Sequence, residues 1–133
     1  MTESSGTGAV GDLDRVLADL RALSEDIDSC AVLSGDRDLL SSSHASAVDR
    51  ERASALLAAL VDLSDRAARE GGKDYASQVR IDTDEGHLLL VRLDGRGVLA
   101  ATTGPDARVG LVLYDMRNTR DELDRVLAEG GGE

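Results

Sequence analysis

The sequence predicts an α/β (α+β) domain, a five-stranded antiparallel sheet with helices on both faces in the order α-β-β-α-β-β-β-α. Three observations predict it. Residues 13–23 and 47–70 repeat apolar side chains at helical spacing. Residues 77–103 hold three short apolar runs parted by turns rich in Asp and Gly. A last amphipathic stretch then follows Pro105.

Asp12 caps the first helix, in which Leu13, Val16, Leu17, Leu20 and Leu23 form one stripe against charged Asp14, Arg15, Asp19 and Arg21. Ile27 to Ser34 reads as a strand, Gly35-Asp36-Arg37-Asp38 as a turn, and Leu39 to Ser43 as the returning strand of a hairpin. Ser46 with Asp49 has the capping-box pattern, so the long helix starts near residue 47, runs to about Glu70 and stops at Gly71-Gly72. Its apolar side is wide: Ala53, Leu56, Leu57, Leu60, Val61, Leu63 and Ala67.

Ser77, Val79 and Ile81 alternate with Gln78, Arg80 and Asp82, the mark of a half-exposed strand. Leu88 to Val91 and Val98 to Ala101 are continuously apolar, as in strands covered on both faces. Turns at 82–86 and 94–97 join the three strands as a meander. Gly104-Pro105 ends the last one, and Pro105 or Asp106 opens the final helix, with Val109, Val112, Met116, Leu123, Val126 and Leu127 on its buried side. Residues 1–11 and 129–133 have little to bury and read as a disordered leader and tail around a 12–128 domain.

The length, 133 residues, suits one domain, and a chain of that size supports a core without disulfide or metal. There is no Phe or Trp, so packing falls to Leu, Val, Ile and Ala. Tyr75 and Tyr114 alone offer no platform for stacked bases. A formal charge of −11 repels phosphate backbones and anionic headgroups, which argues against nucleic acid and against membrane insertion. Cys30 is alone and flanked by apolar residues, which excludes an internal disulfide and reads as a buried small hydrophobe. No apolar run reaches the ~20 residues of a membrane span, and the opening residues lack the regions of a signal peptide. A cytoplasmic location is expected.

Motif by motif, chemistry is missing. Gly6-Thr-Gly-Ala-Val-Gly11 spells a dinucleotide fingerprint, but Met1 to Ser5 cannot supply the strand that must aim such a loop. Asp82-x-Asp84-x-Gly86 lacks the glycine and glutamate that a calcium loop needs further on. His44 and His87, the only histidines, have no nucleophile and orienting acid at a recognisable spacing. No catalytic residue, metal ligand or cofactor is therefore expected. Ala55, Ala58 and Ala59, next to Asp62 and Arg66, suit a helix surface and also a small-residue ridge that a second helix could approach.

The whole pattern resembles the roadblock/LC7 family, with its profilin-like architecture, and most closely the bacterial members encoded beside small Ras-like GTPases. The likeness rests on Cys30-Ala-Val-Leu-Ser-Gly-Asp36, Leu39-Leu-Ser-Ser-Ser43, Gly97-Val-Leu-Ala-Ala-Thr-Thr103 and Ala107-Arg-Val-Gly-Leu-Val-Leu-Tyr-Asp-Met116. It covers about residues 12–128. The resemblance implies a homodimer, or a heterodimer with a similar chain, that regulates or docks a GTPase without catalytic groups of its own. It places the interface on residues 47–70 and 76–82, with Ala55, Ala58, Ala59, Asp62, Val79 and Ile81 as candidate interface residues. Val79 and Ile81 lie on a strand whose edge would otherwise be unpaired. Arg50, Arg52, Arg66 and Arg69 on the long helix are the candidate GTPase contacts. Two alternatives stand beside this reading: a small-ligand sensor, whose inward polar residues would be Ser29, Cys30, Thr102 and Thr103, and a dimerisation scaffold in a kinase or motility complex.

Overall fold

Eight elements follow one another in the computed structural model: α1 (Thr2–Leu23), β1 (Ile27–Leu33), β2 (Leu39–Ser42), α2 (Ala47–Glu70), β3 (Gln78–Thr83), β4 (Gly86–Arg92), β5 (Val98–Thr103) and α3 (Val109–Gly131). The structure describes the backbone of residues 2–43 and 47–131, and the side chains of residues 11–43 and 50–129. The expected order of elements is the observed one.

All strands pair antiparallel in one sheet, in the order β2-β1-β5-β4-β3. β5 lies in the middle, with Cys30 opposite Ala101 on one side and Leu89 opposite Ala101 on the other. β3 is an edge strand, held on one side only by β4 through Val79↔Leu90 and Ile81↔Leu88.

One face of the sheet carries α1 and α3. Leu13, Val16, Leu17 and Leu20 from α1 and Val112, Met116, Leu123 and Val126 from α3 meet Val32, Leu89, Val91 and Leu99 of the strands. Leu23 falls at the margin of the α1 stripe and is exposed, contrary to its expected place in the core. The other face carries α2 alone, over a smaller cluster of Leu57, Val61, Ala31, Leu33, Leu90, Val98 and Ala100. Alternating side chains of the central strands thus feed two cores, which accounts for their unbroken apolar runs.

α2 has the expected bounds. Gly72, with φ of 80°, ends it in a Schellman turn: Gly72 N–H donates to the Arg69 carbonyl and Lys73 N–H to that of Ala68. The expected cap at Ser46 lies outside the described residues, as does His44. α1 begins at Thr2, so it takes in most of the stretch read as a leader, and Asp12 pairs with Arg15 at 3.4 Å within the helix. Once Leu13 to Leu20 anchor a helix, each further residue adds a hydrogen bond without a new nucleation cost. α3 likewise continues to Gly131, into the expected tail.

The start of α3 is a correction. It begins at Val109, because residues 104–107 form a turn and Asp26, from the α1–β1 connection, accepts from the Arg108 backbone N–H at 2.9 Å and from its Nε at 3.1 Å. This cap comes from 82 residues away, so it also ties the end of α1 to the start of α3.

Candidate interaction surface

α2 has three sides. Leu57, Val61 and Asp65, one turn apart, face the sheet and are buried. Ala55, Ala58 and Asp62 fall on the flank toward β2, where Ala55 and Ala58 border a shallow surface with Arg37 and Leu39, and Asp62 pairs with Arg37 at 3.4 Å. Leu56, Leu63 and Ala67 fall on the opposite flank and are exposed, Leu56 by 65% and Leu63 by 61%, and exposed Ala59 points outward between the two flanks.

The expected interface residues of α2 lie together at i, i+3, i+4 and i+7, and Val79 and Ile81 lie on β3. Ala55 and Ala59 stand one turn apart and share the outward side of α2, with Ala58 and Asp62 beside them toward β2 and Leu56 and Leu63 on the other flank. Val79 is half-buried and Ile81 is 37% exposed on edge strand β3, and Leu60 and Leu88 are half-buried between strand and helix. An apolar band thus runs along α2 and β3, and its strongest members, Leu56 and Leu63, belong to the wide apolar side expected of the helix but are left exposed. A helix with two apolar stripes looks in sequence like one with a single wide stripe.

The four arginines do not converge. Arg50 and Arg69 stand roughly 28 Å apart along the helix axis. Arg52, Arg66 and Arg69 are exposed and Arg50 is half-buried.

Under α2 lies a network that the residue pattern did not reveal. Arg92, at the end of β4, donates to both carboxylate oxygens of Asp65, which also accepts from the Ala76 N–H at 3.0 Å and pairs with Arg37 at 3.7 Å. Burial pushes the Asp65 carboxyl up, but the Arg92 and Ala76 hydrogen bonds and the charges of Arg92 and Arg37 outweigh it and hold the pKa below the ordinary value. A carboxylate one turn beyond Val61 on the buried stripe was the available signal.

The remaining candidates are accounted for by local bonding. His87 Nδ1 lies 2.6 Å from Asp82, which also accepts from Arg80 at 2.8 Å. Ser29 and Thr102 hydroxyls bond each other at 2.5 Å, and Thr103 donates to the Gly104 carbonyl. Both Ser29 and Thr102 border an open, mostly apolar groove of about 200 Å³ beneath the first half of α2. Cys30 is buried, its thiol turned toward the Leu17 carbonyl and pushed up to about 11 by burial, against a smaller pull from Arg21. Asp94, Asp121 and Asp124 cluster near the β4–β5 turn, where Asp124 accepts from the Asp94 and Gly95 amides. No helix among the described residues is long and apolar enough to cross a membrane.

With this geometry in place, comparison with known proteins is direct. The Roadblock/LC7 domain pattern matches residues 13–103. No curated protein sequence matches the chain. Among solved structures, MglB of Myxococcus xanthus is 17% identical with a TM-score of 0.80, covering 91% of both chains. A Roadblock/LC7 domain from Streptomyces avermitilis is 28% identical with a TM-score of 0.66, covering 83% of this chain and 96% of its own. An MglB in a tetrameric arrangement is 14% identical with a TM-score of 0.79, covering 95% and 92%. The chain belongs to the Roadblock/LC7 family.

Proposed function

We propose that this Roadblock/LC7 protein is a noncatalytic, dimeric regulator or adaptor of a small Ras-like GTPase. The observation that carries the reading is the uncovered apolar band of Leu56, Ala59 and Leu63 beside the open edge of β3. An exposed strand edge with Val79 and Ile81 on it is a template for pairing. Around a two-fold axis, β3 meets its own copy antiparallel, the sheets of two protomers become continuous, and the α2 bands close on each other. The solved MglB in a tetrameric arrangement supports self-association as a property of this fold.

A dimer of this kind offers the GTPase a surface on which the two α2 helices lie together. Exposed Arg52, Arg66 and Arg69, with half-buried Arg50, are the proposed contacts. An arginine finger is worth ~10³–10⁵ in rate. These arginines are dispersed along a helix, which favours conformational control, in which unequal affinity for the two nucleotide states shifts the switch equilibrium. The sensor alternative is weaker. The groove beneath α2 is open, and the Ser29 and Thr102 hydroxyls are spent on each other, so little is left to orient a ligand.

The test uses a Ras-like GTPase of the same organism loaded with GDP or with a non-hydrolysable GTP analogue. The reading expects binding that differs at least about tenfold between the two states. Equal binding leaves a scaffold, and absence of binding to any such GTPase removes the partner. If replacing a single arginine by Ala abolishes accelerated hydrolysis while binding survives, a finger replaces conformational control.

A further inference from the structure

We propose that the cleft between the end of α2 and the β1–β2 and β4–β5 turns binds a small phosphate-bearing anion, either inorganic phosphate or a phosphomonoester. The cleft measures about 250 Å³, below the ~300–1,000 Å³ of pockets for drug-sized ligands. Arg37, Arg69, Arg92 and Arg96 all border it, in a chain whose net charge is −11.

These arginines divide into two kinds. The inner two are committed. Arg92 is held by Asp65 and lies over the Tyr75 ring at 5.0 Å. Arg37 pairs with Asp62 and Asp65 and donates to the Gly35 and Arg96 carbonyls at 3.1 and 3.2 Å. The outer two, Arg69 and Arg96, make no side-chain hydrogen bond or ion pair among the described residues. A fixed, charge-compensated floor therefore carries two free guanidinium forks at its rim.

The backbone points to the same place. Among the described residues, only Arg37 and Arg96 combine a side chain with positive φ, 73° and 77°. Glycine occupies that conformation without strain, and strained residues held by their surroundings gather at ligand sites. The bonds of Arg37 explain its conformation. Arg96 takes the same conformation as the closing residue of the β4–β5 turn, its N–H donating to the Leu93 carbonyl at 3.1 Å, and its side chain stands at the cleft rim with no bond among the described residues.

The ligand follows from the forks. A phosphate has enough terminal oxygens to accept from two guanidinium groups at once, whereas one fork fills a carboxylate. Asp74 and Asp94 also border the cleft and set it against a long polyanion such as nucleic acid. Arg69 lies across α2 from Leu56 and Leu63, so the cleft is independent of the proposed dimer contact.

The experiment is NMR titration of the full chain at constant ionic strength with inorganic phosphate, glycerol phosphate and acetate. Amides at 93–97 and the Arg69 and Arg96 Nε–H groups are followed. Saturable shifts are expected with both phosphates and not with acetate. Arg96→Gly, which suits the left-handed backbone and so preserves the fold, and Arg69→Ala should each weaken binding about tenfold. Tighter binding of glycerol phosphate assigns the site to a phosphomonoester, and tighter binding of inorganic phosphate to the free ion. No saturation by about 10 mM phosphate, an equal response to acetate, or native affinity in both variants overturns the proposal.

Discussion

Asp65 on α2 and Arg92 on β4 are joined through both carboxylate oxygens, although 27 residues separate them in sequence. Their side chains are 11% and 9% exposed. α2 otherwise reaches the sheet through few fully buried apolar residues, Leu57 and Val61. The pair therefore sets where the second half of the helix sits, with Tyr75 stacked outside it and Arg37 beside it.

Removing one member leaves the other charged and buried. Arg92→Ala should cost about 3–5 kcal/mol of unfolding free energy, measured by urea titration. The double variant Asp65→Leu with Arg92→Leu should be more stable than either single leucine variant, because no orphan charge remains. A double variant as unstable as the sum of the two would contradict this.

Acid should destabilise the fold through particular carboxyls. Asp26, Asp65 and Asp82 all lie below their ordinary values: Asp26 by the backbone and side-chain hydrogen bonds of Arg108, Asp82 by those of Arg80 and His87, and Asp65 despite its burial. A lowered folded pKa means that the unfolded chain binds the proton first. The stability these groups give is complete above the unfolded value of about 3.9 and is lost as pH falls through the folded values. Their contribution to the urea midpoint should be constant from pH 7 to about 5 and decline below about 4. Asp65→Asn should lower the midpoint at pH 7 and make the acid decline shallower.

Two glycines should respond in opposite directions. A Cβ at Gly86, where φ is 145°, would lie 2.0 Å from the Thr103 carbonyl oxygen. Gly86→Ala should cost at least about 2 kcal/mol. At Gly110, in the first turn of α3, nothing lies within 4 Å, and alanine should stabilise by about 0.5–1 kcal/mol. Thermal unfolding distinguishes them by the sign of the change in Tm.

Charge on the apolar band should dissolve the proposed dimer. Light scattering after size exclusion should give twice the chain mass for the native protein and a single chain for Leu63→Glu. Ala58→Glu, on the flank toward β2, should remain dimeric. A native monomer at tens of micromolar, or dissociation by Ala58→Glu alone, would place the contact elsewhere.

The elements were legible where their signals are local. α2 ends where expected, since paired glycines act on their own turn. The strands fell within a residue or two for the same reason. The start of α3 was not legible, because Asp26 caps it from across the fold, and Pro105 suggested a nearer opening. The wide apolar side of α2 was visible in the residues, but which half the sheet covers depends on where β1 and β5 lie beneath it. Asp65 and Arg92 were each readable as misplaced charges, one on a buried stripe and one ending an apolar strand. Only the topology brings them together.

The central place of β5 also governs when this protein can fold. A ribosome delivers β1, β2, β3 and β4 first, and each hairpin can close by itself. Neither can join the other, because the strand that lies between β1 and β4 is made last of the sheet. Cys30 must wait for Ala101 and Val32 for Leu99, so the decisive loop closures span most of the domain. Until then the apolar edge of β1 stands open to other chains in the crowded cell. Productive folding is thus held back almost to the end of translation, and a transcript cut short before Val98 would yield one chain with two unjoined hairpins, each with an open edge.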